Sequence, residues 1–214
     1  MKKILIIAIL IVFAINFFNE NNNSFDETTL VNVDMKPFSV PIQKNLTKKD
    51  KKQNLNKKYS DKEIVITPLY KYKIYARVYS KKHYPLDPNP APYDLALGWD
   101  GLEKEEVFNT ITAWQSFRWV HWRLKPGCPY DVNGVYLRLA NNHIIPANDN
   151  ILKGVKKLKR KDVVYMEGYL VSVKRPRGKG SEKIVSSTSR TDRGAGSCEI
   201  IYVTRLVSKY GEFK

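Results

Sequence analysis

Cysteine is scarce in this chain. Cys128 and Cys198 are the only two in 214 residues, too few for a disulfide-stapled scaffold or a zinc site built from four thiolates. Histidine is nearly as rare, and His83, His121 and His143 lack the short spacings through which imidazoles share a metal. No metal and no cofactor is therefore expected. Nothing recurs at a period of about 20 to 50 residues, which excludes a solenoid or a propeller. Acidic residues are outnumbered, with 21 Asp and Glu against 37 Lys and Arg, a net charge of +16 and a pI near 9.7. A field of that size attracts polyanions in general without selecting bases or a fold.

Apolar residues form one long run. Ile4 to Ile15 carries no polar side chain, follows Lys2 and Lys3, and leads through Phe17 and Phe18 into the polar stretch Asn19 to Asn23. This pattern is an export signal. As helix at ~1.5 Å per residue, residues 4–18 span roughly 22 Å against a hydrocarbon core of ~30 Å. That length suits a cleaved signal peptide, yet no small-x-small cleavage site follows, and the lysines can snorkel at one end. Residues 1–18 are accordingly expected to stay as a signal anchor, with a cleaved signal peptide as the alternative. The absence of Lys and Arg between the run and Lys36 keeps the amino terminus cytoplasmic and sends the rest to the periplasm or the exterior. The expected location is the inner (cytoplasmic) membrane, single-pass, with the membrane contacted through residues 4–18.

Residues 19–63 read as a flexible linker. They combine Asn21 to Asn23, Pro37, Pro41 and closely spaced lysines from Lys44 to Lys62, with too few spaced apolar residues to offset the entropy of ordering. From Ile64 onward the pattern changes. Tyr70, Tyr72, Ile74, Ala76 and Val78 alternate with Lys71, Lys73, Tyr75, Arg77 and Tyr79, a half-buried strand. Pro85, Pro88, Pro90 and Pro92 impose an extended loop. A capping-box pattern, Asp100 with Glu103, predicts a first helix carrying Leu102, Val107, Phe108 and Ile111 inward. Gln115 to Leu124 reads as one strand with bulky residues on both faces, and Val135 to Ala140 as another. Ile151, Leu152, Val155 and Leu158 form the apolar stripe of a second helix over about Asp149 to Arg160. Lys161-Asp162 turns it into the longest strand, from Val163, in which Gly168 marks a bulge or a sharp coil.

The fold class expected is α+β and β-rich, with the N-terminal transmembrane or signal helix followed by one small β-barrel-like or coiled-sheet domain, residues 64–214, covered by two helices. A helix leading through a charged turn into a long strand with an internal glycine is also the order in which small Greek-key barrels of the OB type read.

Tyr93 to Trp99 (YDLALGW), Gln115 to Trp119, Asn142 to Ala147 (NHIIPA) and Gly194 to Tyr202 (GAGSCEIIY) form a set of blocks. In these blocks the chain resembles an uncharacterised family of bacterial exported or inner-membrane proteins that begin with a single hydrophobic helix. The resemblance covers roughly residues 93–203. It implies location and domain extent, and no mechanism.

Three constellations stand out. Cys128 and Cys198, an even pair in an oxidising compartment, are candidates for a disulfide, with two independent thiols as the alternative. A thiol hydrolase would use Cys198 with His143 or His121 as base and an orienting acid such as Asp192 or Glu199. The loop from Ser186 to Gly196 presents Arg190 and Asp192, either to a ligand or to each other across a turn. Trp99, Trp119, His143, Arg190 and Asp192 are thus the candidate ligand-binding residues. Two functions follow: a non-catalytic binding module for an envelope protein or an anionic envelope ligand, and an envelope hydrolase acting through Cys198 and His143. An OB-like nucleic-acid-binding protein is the weaker third.

Overall fold

The computed structural model describes residues 38–59, 62–85, 90–192, 194 and 196–214. The apolar run 4–18 and the linker residues up to 37 lie outside them. Among the described residues no helix is long and apolar enough to cross a membrane.

The chain folds as a β-rich α+β domain organised by one long strand, β3 (Lys62–His83), flanked earlier in sequence by β1 (Ile42–Lys44) and β2 (Lys57–Tyr59). The later strands are β4 (Tyr93–Gly98), β5 (Ile111–Ser116), β6 (Trp119–Leu124), β7 (Leu139–Pro146), β8 (Val163–Arg177), β9 (Gly180–Val185), β10 (Glu199–Ser208) and β11 (Gly211–Phe213). The helices are α1 (Lys48–Lys51), α2 (Glu105–Phe108), α3 (Val132–Tyr136) and α4 (Asp149–Lys157). β3 pairs antiparallel with β4 through residues 77–83 and with β8 through residues 65–77. β4 pairs with β7, β7 runs parallel to β10, and β10 pairs antiparallel with β8. The pairings therefore lead from β3 through β4, β7, β10 and β8 back to β3.

The alternation read in the sequence holds along β3: Tyr72, Ile74, Ala76 and Val78 are buried in one core with Leu95, Leu97, Ile144, Met166, Leu170 and Ile201. α4 caps this core with Ile151, Val155 and Leu158, and its first turn is held by the Asn148 side chain accepting from the Ile151 amide at 3.0 Å. A second core gathers Leu55, Ile64, Ile66, Val171, Val173 and Tyr202. A register break in β3 between Val78 and Ser80 turns Tyr79 into a third cluster with Leu102, Phe108, Ile111 and Leu139. There its hydroxyl donates to the Leu102 carbonyl at 2.8 Å. A bulge of this kind re-aims one side chain without ending the strand.

Several expectations need correction. The linker reading fails over residues 38–59, where β1 and β2 pair with β3 and Leu55 and Asp50 are buried. Asp50 closes a capping box with Thr47 and accepts from Tyr169 at 3.0 Å, and the Thr47 hydroxyl holds its carboxyl well below the usual carboxylate range. Composition concealed this because the order comes from one buried acid and one leucine, not from periodicity. The first helix shrinks to α2, because Asp100 and Gly101 adopt φ of 52° and 94° and Glu103 accepts from the Gly101 amide instead of capping a helix. Gln115 to Leu124 is not one strand: Phe117 and Arg118 form a two-residue turn with φ of 47° and 63°, which folds β5 and β6 into a hairpin. Val135 and Tyr136 belong to the short helix α3, and β7 starts at Leu139.

Gly168 sits where β10 crosses closely: it pairs with Val203 beside the register break between Val203 and Arg205, and a Cβ there would overlap the backbone carbonyl of Tyr202. Gly168→Ala is expected to cost at least about 2 kcal/mol of unfolding free energy in urea titration, because the obstacle is backbone and cannot swing aside. A loss within about 0.5 kcal/mol would show that β8 and β10 are not so tightly apposed.

Candidate functional site

The hairpin β5–β6 lies over the outer side of β4 and β7, and a buried carboxylate fixes it there. Asp94, fully buried in β4, accepts from Arg118 Nη1 at 2.9 Å and from Asn141 Nδ2 at 3.3 Å, and lies 2.8 Å from His143 Nδ1. Arg118 also donates to the Ala91 carbonyl at 3.2 Å and stacks 4.1 Å from the Tyr84 ring centre. These contacts hold the hairpin turn in its left-handed geometry, which favours glycine and is occupied here by Phe117 and Arg118. Gln115 adds a hydrogen bond from its Nε2 to Asn141 Oδ1 at 2.5 Å. Phe117, at the tip, is 93 % exposed.

Between this hairpin and the segment from Ser186 to Glu199 lies a cavity of about 260 Å³. Trp119, His121 and Trp122 line it from β6, Tyr136 from α3, and Asn141 from β7. Trp99, Arg190, Asp192, Ser197, Cys198 and Glu199 also line it. The segment is shaped by its own hydrogen bonds. The Ser187 hydroxyl donates to Asp192 Oδ2 at 2.6 Å, the Ser187 amide bonds the Cys198 carbonyl at 3.0 Å, and the Ile200 amide donates to the Ser186 hydroxyl at 2.9 Å.

At the inner end Arg190 Nη1 donates to Glu199 Oε1 at 2.5 Å, and the guanidinium lies 5.2 Å from the Tyr72 ring centre and 6.0 Å from that of Trp99. Glu199 is only 2 % exposed. Burial pushes its carboxyl up to about 7, although Arg190 draws it down. Burial also pushes the Cys198 thiol up to about 12, with the Glu199 charge adding to it. Among the described residues, Arg190 Nη2, Glu199 Oε2, Asn142 Oδ1 and the Tyr72 hydroxyl are buried without a hydrogen-bond partner. Unpaired buried polar atoms are uncommon and mark places where water or a ligand group completes the set.

Of the residues expected at a site, Trp99, Trp119, Arg190, Asp192 and Cys198 meet at this cavity. His143 does not line it and is turned to Asp94, to which Asn141, a lining residue, also donates. Cys128 and Cys198 are both free thiols, so the disulfide is not present. Cys128 packs at the hairpin cluster, whereas Cys198 stands at the foot of β10. Arg190 and Asp192 do not pair with each other; their partners are Glu199 and Ser187. Sequence reading missed Asp94, Arg118 and Asn141, and saw Glu199 only as a possible orienting acid for a thiol enzyme. Asp94 and Glu199 each interrupt or open an apolar strand, and an acid in such a position is the signal of a buried, paired charge.

What can this arrangement do chemically? A thiol near 12 holds almost no thiolate at neutral pH. Ser116 Oγ lies 2.8 Å from His121 Nε2 on the outer face of the hairpin, but among the described residues no carboxylate orients that imidazole. Nor does any group of His, Cys, Asp and Glu side chains among the described residues converge to hold a metal ion. The cavity offers aromatic walls and mixed donors and acceptors, which suits binding. No family model, no curated protein and no solved structure matches this chain.

Because the Glu199 carboxyl is raised from about 4.5 to about 7, the folded state holds its proton more tightly than the unfolded chain. The stability this contributes is complete below about pH 4.5 and is lost as pH rises through 7, up to about 3 kcal/mol in all. Urea unfolding of the wild type at pH 5 and pH 8 should therefore show a fall that Glu199→Gln removes. An equal fall in the variant would assign it to other groups.

Proposed function

We propose that this protein is an envelope binding module: a small β domain of the OB type, exported and tethered by residues 4–18 to the inner membrane, that takes a small polar ligand without chemical turnover. The OB reading is supported by the circuit of β3, β4, β7, β10 and β8, with α4 between the third and fourth of these strands in sequence and β7 parallel to β10. The location is supported by the apolar run behind Lys2 and Lys3 and by the resemblance to exported proteins, which share such a leader.

The observation that carries the binding reading is the convergence of Trp99, Trp119, Arg190, Asp192 and Glu199 on one cavity beside buried, unpartnered polar atoms. Aromatic walls with a few placed polar groups are the usual make-up of a ligand pocket. The hydrolase alternative is weakened by the raised Cys198 thiol and by His143 not being among the residues that line the cavity with Cys198. The cavity lies on the hairpin side of the domain, and the described lysines of residues 44–58 are not part of its lining. A non-selective polyanion would be drawn to those lysines instead.

A thermal-shift survey of the full chain in lipid nanodiscs tests this reading, using neutral oligosaccharides, short peptides, nucleotides, tetramethylammonium and inorganic phosphate. At least one class should raise Tm at millimolar concentration. Trp119→Ala should abolish that rise and Cys198→Ala should keep it. If no class raises Tm, or if Cys198→Ala abolishes the effect together with a measurable hydrolysis of the added compound, the module reading is wrong.

A further inference from the structure

The aromatic lining of the cavity does not stop at its mouth. Trp119 and His121 line the cavity and also belong to the outer face of the hairpin, where the rings of His121 and Trp114 stack at 5.6 Å and 20°. Trp114 is 44 % exposed and Trp119 39 %. Cross-strand alternation places Thr112, Trp114, Ser116, Trp119, His121 and Arg123 on that one face, and Trp114, Trp119, His121 and Arg123 are exposed there. Cavity and platform are thus continuous through Trp119 and His121. A ligand that uses both has one unit inside and further units laid along the hairpin. The cavity, at about 260 Å³, falls below the ~300–1,000 Å³ typical of drug-sized ligands, so it admits a single ring and not a folded chain.

Charge then narrows the chemistry. Within the described lining Arg190 is paired with Glu199 and Asp192 stands beside them, so these residues carry no net positive charge, and a phosphate or carboxylate would meet Asp192 and a guanidinium already engaged. A cation would meet Arg190 inside and the +16 field of the whole chain outside. A neutral unit avoids both costs. The polar groups the lining offers are planar donor and acceptor sets, the Arg190 guanidinium and the Asp192 carboxylate, since the Asn141 amide is spent on Gln115 and Asp94 and Glu199 is buried against Arg190. These suit hydroxyl groups, which donate and accept at once. The aromatic walls suit the C–H faces of a ring.

Resting on the binding-module reading, we infer that the ligand is a neutral oligosaccharide whose terminal sugar enters the cavity between Trp119 and Arg190 while the next sugars stack along Trp114 and His121. Single-stranded nucleic acid also lies along aromatic platforms, but it carries a phosphate at every step and favours a basic groove. Among the described residues of the lining the one Arg or Lys is Arg190, and it is paired with Glu199.

Calorimetric titration of the full chain in lipid nanodiscs provides the test, with tetra-N-acetylchitotetraose, maltotetraose and mannotetraose as probes, their monosaccharides alongside, and a ten-residue oligothymidine, tetramethylammonium and inorganic phosphate as the other arms. At least one tetrasaccharide is expected to bind at least ten-fold more tightly than its monosaccharide. Trp119→Ala should weaken both at least ten-fold. Trp114→Ala, at an exposed position, should weaken the tetrasaccharide at least five-fold and leave the monosaccharide and Tm unchanged. The inference is overturned if none of the three tetrasaccharides binds, or if chain length makes no difference. Binding of oligothymidine, tetramethylammonium or phosphate in place of sugar, lost in Trp119→Ala, would overturn the sugar class while leaving the binding module standing; silence in every arm would remove both.

Discussion

The double engagement of β3 is the constraint on which the rest of the structure depends. One continuous strand, Lys62 to His83, gives residues 65–77 to β8 and residues 77–83 to β4. To serve both partners it must coil, and two register breaks, at Leu69 and Tyr79, take up the turn. The first lets Ile64 and Ile66 enter a different core from Tyr72 and Ile74. The second sends Tyr79 outward under the hairpin. Gly168 answers this coiling on the opposite strand, where the Tyr202 carbonyl leaves no room for a side chain. The site exists because this arrangement leaves the outer sides of β4 and β7 and the foot of β10 at one end, to be covered by irregular chain.

Two buried acids then tie that irregular chain down. Asp94 receives the hairpin through Arg118, and Glu199 receives the 186–198 segment through Arg190. Buried ion pairs add little net stability over apolar packing, because desolvation consumes most of the attraction, but breaking one leaves a costly orphan. Their effect here is on geometry. Each fixes where a loop sits relative to the sheet, and the cavity is the space between the two loops so placed. The two tie points differ in one respect: Asp94 has three partners, whereas Glu199 Oε2 is buried without a hydrogen-bond partner among the described residues.

Period and punctuation made the scaffold legible. Alternation along Tyr70 to Val78, the stripe of Ile151, Val155 and Leu158, and the glycine at 168 all correspond to observed elements, because each reports a local geometry that burial enforces. The hairpin was not legible: a two-residue left-handed turn normally announces itself with Asn-Gly or Asp-Gly, and here Phe117-Arg118 is forced into it by Asp94 and Tyr84, which are distant in sequence. The order of residues 38–59 was hidden for the same reason, since Asp50 is buried by Lys71 and Tyr169 far along the chain. Among site residues, Trp99, Trp119, Arg190, Asp192 and Cys198 stood out as aromatics, polar loop residues and a rare thiol, and they do meet. Their pairing did not follow from spacing: Arg190 and Asp192, two apart, found Glu199 and Ser187 instead of each other.

The account stands on the space between the β5–β6 hairpin and the 186–199 segment being where the ligand is held. Hydrogen–deuterium exchange of the full chain, with and without the tightest-binding of the three tetrasaccharides, reads that space directly. Slower exchange at residues 119–122 and 186–199, with β1, β2 and β9 unchanged, is the predicted result. Protection confined to the lysine-rich residues 44–59, with none at the hairpin, would contradict it.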